Sequence, residues 1–251
     1  NDIQSFDMIT RTDPDARAGE GEVFIDWVNS NFTFPDGSSI ELRKPSVRIE
    51  NLNFGPLADN VMMSLRNSQA MVGMGYLEAI SEKDILQVAQ QQKAQGLNGR
   101  PNYVRDDINK KQAMGRFGWK ANQPSIKQQI AAAFAADIGV TSSLYPLTEC
   151  TPVQHECLAA IKAPKPELRP ELWDALTFWT QALAVPERRD THKPEVQRGE
   201  ALFVSSGCAM CHVPEWRTGK YAAVPSISNQ RIRPYTDLLL HDMGPDLADG
   251  R

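Results

Sequence analysis

The chain has 251 residues, 41% hydrophobic and 23% charged, with a formal net charge of −4, four cysteines and four histidines. That length suffices for one large or two ordinary domains, and a pI near 5.6 gives no electrostatic footprint for nucleic acid or an anionic membrane surface. No apolar run reaches the length of a membrane span. The chain opens at Asn1 with no initiator Met or signal h-region, so it is expected to be a processed protein or a cut fragment.

Residues 1–20 are polar and carry Asp-Pro-Asp-Ala-Arg-Ala-Gly-Glu-Gly, an irregular segment. Glu22 to Val28 is rich in β-formers, Pro35-Asp36-Gly37 is a turn signal, and Ile40 to Arg43 and Val47 to Ile49 are short strand candidates. These predict a small antiparallel hairpin or sheet, the only β structure expected. From Tyr76 the pattern turns helical: Ser81-Glu82-Lys83-Asp84 is a capped start, and Ile85, Leu86, Val88 and Ala89 form an apolar face ended by Gly96. The clearest helix runs from Pro124 to Ile138, with Ile126, Ile130, Phe134 and Ile138 at i+4 spacing and Gly139 as its stop.

A proline-rich linker spans 140–170, and Leu172, Leu176, Trp179 and Leu183 mark another amphipathic helix ended by Pro186. After the polar joint Glu187 to Lys193, Val196 to Phe203 is a short helix leading to Gly207 and the motif below. Pro234 to Leu240 is expected to be a helical turn. The fold class expected is therefore mainly α: an irregular segment (1–20), a mainly helical region with a small β element (21–186), and, on the Cys208-Ala209-Met210-Cys211-His212 run that it carries, a truncated c-type cytochrome segment (187–251).

The most specific signal is Cys208-Ala209-Met210-Cys211-His212. Cys-x-x-Cys-His places two sulfurs one helical turn apart to form thioethers with the porphyrin vinyl groups, and the adjacent imidazole reaches the iron from the proximal side. A thioredoxin-like couple needs a βαβ context, and a zinc site needs two more ligands at short spacing; neither is present. Covalent haem c, one per chain, is the expected cofactor, with Cys208 and Cys211 as attachment points and His212 as iron ligand. Because c-type cytochromes are assembled outside the cytoplasm, a periplasmic or otherwise extracytoplasmic location follows. A disulfide between Cys150 and Cys157 is expected in that oxidising setting, with His155 between them read as a loop side chain.

The haem segment and upstream blocks resemble the di-haem oxidoreductase family of peroxidase-like, or thiol-oxidoreductase-like, proteins. The matching stretches are Leu77 to Ile80, Gly115-Arg116-Phe117-Gly118-Trp119 through Ser125, Cys208 to Pro214, and Tyr235-Thr236-Asp237-Leu238-Leu239-Leu240-His241-Asp242-Met243-Gly244-Pro245. The wider relatives, bacterial di-haem cytochrome c peroxidases among them, are mostly helical, with two cytochrome c-like domains and a calcium ion between the haems. The resemblance thus implies a second haem in the parent protein and a candidate calcium. It also implies electron transfer with a donor or acceptor protein or a small redox substrate. The family's first Cys-x-x-Cys-His has no counterpart here, and its pattern runs on past Arg251. The chain is therefore expected to be a fragment whose parent is the enzyme and which by itself lacks activity. A mono-haem electron-transfer module without its own substrate is the alternative, and a binding domain with an unfilled motif is a third reading.

For the sixth iron position, Met243 and His241 are both candidates, as is a ligand outside the chain or an open site. By resemblance Trp119 is a candidate electron relay between haems, with Gly115 and Gly118 allowing close approach to a porphyrin; packing in the core is the simpler expectation. Trp173 and Trp179 are expected in the core. Arg116 and Lys120 are expected to be solvated, with haem propionates as their alternative partners. Met62, Met63, Met71 and Met74 are expected core fillers rather than copper ligands, and His192 is expected to be exposed.

Overall fold

The structure, a computed structural model, describes residues 19–147, 150–159, 165–245 and 247–248. Strand β1 (Glu22–Thr33) pairs antiparallel with β2 (Ser39–Glu50) in a continuous register from Glu22↔Glu50 to Thr33↔Ser39. The turn is the one that Pro35-Asp36-Gly37 predicts: Asp36 Oδ1 accepts from the Ser38 amide at 2.9 Å and Gly37 takes φ 85°. The two strand candidates Ile40 to Arg43 and Val47 to Ile49 are one strand, with Pro45 opposite Trp27 inside it. A two-stranded ribbon has two edges, so the missing Pro45 N–H leaves no interior ladder broken. Its large apolar side chains, Trp27, Val28 and Phe32 among them, stay exposed.

Helices follow: α1 (Met74–Glu78), α2 (Glu82–Ala94), α3 (Ile126–Ile138), α4 (His155–Ala159), α5 (Pro170–Ala182) and α6 (Pro194–Ser205). Ser81 caps α2 by accepting from the Asp84 amide at 3.1 Å. Ser125 does the same for α3 through the Gln128 amide at 3.2 Å, and Gly139 ends α3 at φ 68°. Helices α3 and α5 share a core of Ala131, Leu168 and Trp173, and Trp173 Nε1 donates to the Lys127 carbonyl at 2.8 Å.

The mainly α expectation is corrected. Among the described residues helix accounts for 30% and strand for 19%, the named strands forming three small antiparallel sheets. Beyond the hairpin, β3 (Tyr103–Asp106) pairs with β4 (Lys111–Met114), and β5 (Trp216–Arg217) with β6 (Arg231–Ile232). Strands of two to four residues are too short to show an alternating pattern, so no periodicity signals them. The span from Pro234 to Leu240 is no helical turn either: Tyr235 and Leu238 have φ 54° and 59°, and Leu240 bridges to Arg100. Trp179 is also not in the core; it is 55% exposed, whereas Trp173 on the same helix is buried.

The second core joins distant parts of the chain. Ile80, Ile85 and Met114 pack with Trp216 and Leu238, so α2 and β4 lie directly beneath the segments that flank the Cys-x-x-Cys-His motif. Among the described residues no helix is long and apolar enough to cross a membrane.

Candidate haem-attachment site

Helix α6 delivers the motif. It ends at Ser205, Gly207 turns the chain at φ 81°, and Cys208–Met210 form a single 3₁₀ turn. Glycine suits that position because a left-handed φ costs a residue with a Cβ more. Both sulfurs are free thiols, Cys208 exposed and Cys211 half-buried. Burial first, and the charge of Asp237 second, push the Cys211 thiol above its ordinary value.

His212 is exposed, and its Nδ1 lies 3.2 Å from the Tyr235 carbonyl oxygen. A carbonyl only accepts, so this contact is a hydrogen bond with the proton on Nδ1, which in the neutral ring leaves the Nε2 lone pair free. This is the tautomer an iron-ligating histidine needs. Phe203 packs edge-on against both the His212 ring, with centroids 6.2 Å apart, and the Tyr235 ring, at 5.4 Å. Around them Leu202, Val204 and Met210 are exposed, and no residue of α6 is buried although its sequence is amphipathic. Two unpaired thiols, an imidazole with a free Nε2 and uncovered apolar side chains on α6 fit a covalently bound haem.

Behind the motif lies a buried polar cluster that the sequence does not announce. Asp237 is buried, and its Oδ2 accepts from Gln92 Nε2 at 2.7 Å and from His241 Nε2 at 2.6 Å. Gln92, on α2, also donates through Nε2 to the Met210 carbonyl at 2.8 Å. Ligand atoms of Cys211, Asp237 and His241 all lie within 4.8 Å of one another. The bond to Asp237 explains that proximity for His241 without a metal ion.

The other expected residues fall as follows. His241 has its Nε2 committed to Asp237, while Met243 is 65% exposed. Trp119 is half-exposed rather than packed in the core, with the Arg66 guanidinium 5.9 Å from its ring centroid. Gly115 and Gly118 serve their own loop: a Cβ on Gly115 would strike the Ala121 carbonyl, and one on Gly118 the Asn122 side chain. Arg116 is not a solvated cation. Its Nη1 donates to the Leu77 and Ile80 carbonyls at 3.0 and 2.6 Å, capping the end of α1, and burial pulls its pKa down while Glu82 and Glu78 oppose that shift. Met62, Met63 and Met71 are exposed and not core fillers. Cys150 and Cys157 form a disulfide with a Cα–Cα distance of 5.8 Å, and His155 begins the short helix α4 rather than sitting in a loop. His192 is exposed.

A family model described as di-haem oxidoreductase, putative peroxidase, matches residues 6–251. The chain belongs to this family of di-haem oxidoreductases. No curated protein and no solved structure matches it.

Proposed function

We propose that Cys208 and Cys211 bind haem c through thioethers and that His212 Nε2 is its proximal iron ligand. The observation that carries this reading is the His212–Tyr235 hydrogen bond, which presents Nε2 at the end of a Cys-x-x-Cys-His turn beside uncovered apolar side chains on α6. Bound there, haem iron supplies the redox couple for electron transfer. The protein's own part is to hold the thioether positions on a 3₁₀ turn, fix the imidazole tautomer, and pack Phe203 against the imidazole ring.

Family membership supports a di-haem oxidoreductase of peroxidase-like activity, with the second haem outside the motif of this chain. Its partners would be a protein or small-molecule electron donor and a peroxide-like acceptor. The disulfide and the haem c motif together support an extracytoplasmic, periplasmic setting. A mono-haem electron-transfer module is the second reading, favoured by the single Cys-x-x-Cys-His in the sequence. For the sixth iron position, the exposed Met243 thioether is favoured over His241, whose Nε2 is held by Asp237.

Expression with the haem-attachment machinery, followed by a pyridine haemochrome spectrum, tests the site. One c-type haem per chain is expected, and the absence of a haem band from correctly matured protein would overturn the reading. Peroxide turnover by the parent protein with a reducing partner separates the enzyme from the carrier.

A further inference from the structure

We infer that Gln92 and Asp237 are positioning residues for the His212 imidazole: they tie the Cys-x-x-Cys-His turn and the segment that accepts its Nδ1 proton to one buried amide. The inference rests on the reading of His212 as the iron ligand, and it concerns residues outside the motif.

Gln92 is only 3% exposed, and both protons of its Nε2 are used, one on the Met210 carbonyl and one on Asp237 Oδ2. Both partners accept only, so the amide cannot be flipped. Its Oε1 is then left buried with no partner among the described residues, facing Gly99, where a Cβ would collide with it. An orphaned buried acceptor is a net cost, and methionine would fill the same volume without it. A glutamine kept for packing alone would carry that cost for no return. What it gains is the double tether.

The tether runs on to His212. Asp237 Oδ2 is held as well by His241 Nε2, and its Oδ1 accepts from the Leu239 amide at 2.9 Å. The Thr236 carbonyl accepts from Trp216 Nε1 at 2.8 Å, and the Leu238 amide donates to Thr236 Oγ1 at 3.2 Å. These bonds hold Tyr235 at φ 54°, a conformation that a non-glycine residue keeps only when its surroundings impose it. The Tyr235 carbonyl so placed receives His212 Nδ1. At the other end of the circuit, Met210 lies two residues before His212. Gln92 thus sets the separation between the imidazole and its acceptor from an element remote in sequence. Loss of the tether should release the Nδ1 hydrogen bond, make the imidazole a weaker donor to iron, and raise the reduction potential.

The test uses the 251-residue chain, wild type and Gln92→Met, a nearly isosteric change of no charge, with Asp237→Asn as a second variant. In the haem-free, 15N-labelled chain above the imidazole titration, long-range 1H–15N correlation reads the His212 tautomer, with exposed His192 as internal control. The wild type is expected to carry its proton on Nδ1, and each variant to lose that preference toward the mixture shown by His192. In the haem-loaded chain, the Gln92→Met potential should rise. A wild-type proton on Nε2, or variants that keep both the tautomer and the potential, would overturn the inference. Intact mass separately reports haem attachment, so a chain with the expected tautomer but no haem would defeat the haem reading and leave the tether standing.

Discussion

His212 Nδ1 faces the Tyr235 carbonyl oxygen at 3.2 Å, joining the end of the Cys-x-x-Cys-His motif to a segment 23 residues further along the chain. The bond decides which ring nitrogen is free, and with it what the site can bind. His212→Gly in the matured protein should keep the haem, because Cys208 and Cys211 still hold it, but lose the low-spin optical spectrum. Added imidazole should restore that spectrum. Haem lost from His212→Gly despite intact cysteines would mean that the thioethers are not formed.

For the opposite iron face, Met243→Ala should abolish the sulfur-to-iron charge-transfer band, while His241→Ala should leave it in place. His241 Nε2 is spent on Asp237, so removing the ring costs packing and one hydrogen bond rather than a ligand. A band that survives Met243→Ala excludes Met243.

Arg116 closes the end of α1 with two charge-assisted bonds to carbonyls. Arg116→Met should destabilise the fold by about 2 kcal/mol, because the Ile80 carbonyl loses its donor in a half-buried setting and the Leu77 carbonyl keeps only the Ile80 amide at 3.3 Å. Urea unfolding checks this, and an unchanged midpoint would return Arg116 to the solvated role its sequence suggests.

Asp106 supplies a pH dependence at the β3–β4 turn. Burial works against its charge, but the Asn109 side chain, the Asn109 and Ile108 amides and the Lys111 charge together hold its carboxyl below the ordinary value of 3.8. With the folded pKa lowered, its contribution is complete above the unfolded carboxylate pKa and is lost as pH falls through the folded one. Stability measured from neutral pH down to strong acid should therefore fall less steeply in Asp106→Asn than in wild type in that acid window. Parallel curves would contradict this.

The disulfide joins cysteines seven positions apart. Replacing both with serine should lower stability by about 2.5 kcal/mol on the chain-entropy argument, read by thermal unfolding with and without reductant. Equal midpoints would show the bridge to be idle.

What could be read in advance followed from strong local signals. Gly139 stops α3, Ser81 starts α2, and Pro35-Asp36-Gly37 turns the hairpin, because caps and turns depend on side chains a few residues away, whereas α3 starts at Ile126 behind its cap Ser125 and not at Pro124. The Cys-x-x-Cys-His motif was legible because its chemistry is local. The rest depends on contacts between distant segments. Gln92 meets residues more than a hundred positions away, and nothing around it distinguishes it from Gln90 or Gln91. Trp119 and Trp179 carry the residue type of a core without its burial. The two short sheets were invisible because tertiary pairing, not alternation, defines strands of two to four residues.

The most direct test is the intact mass of the chain after co-expression with the haem-attachment machinery. The account predicts a mass equal to the polypeptide plus one haem, reduced to the polypeptide alone in Cys208→Ala/Cys211→Ala. Wild-type protein weighing no more than its polypeptide would contradict it.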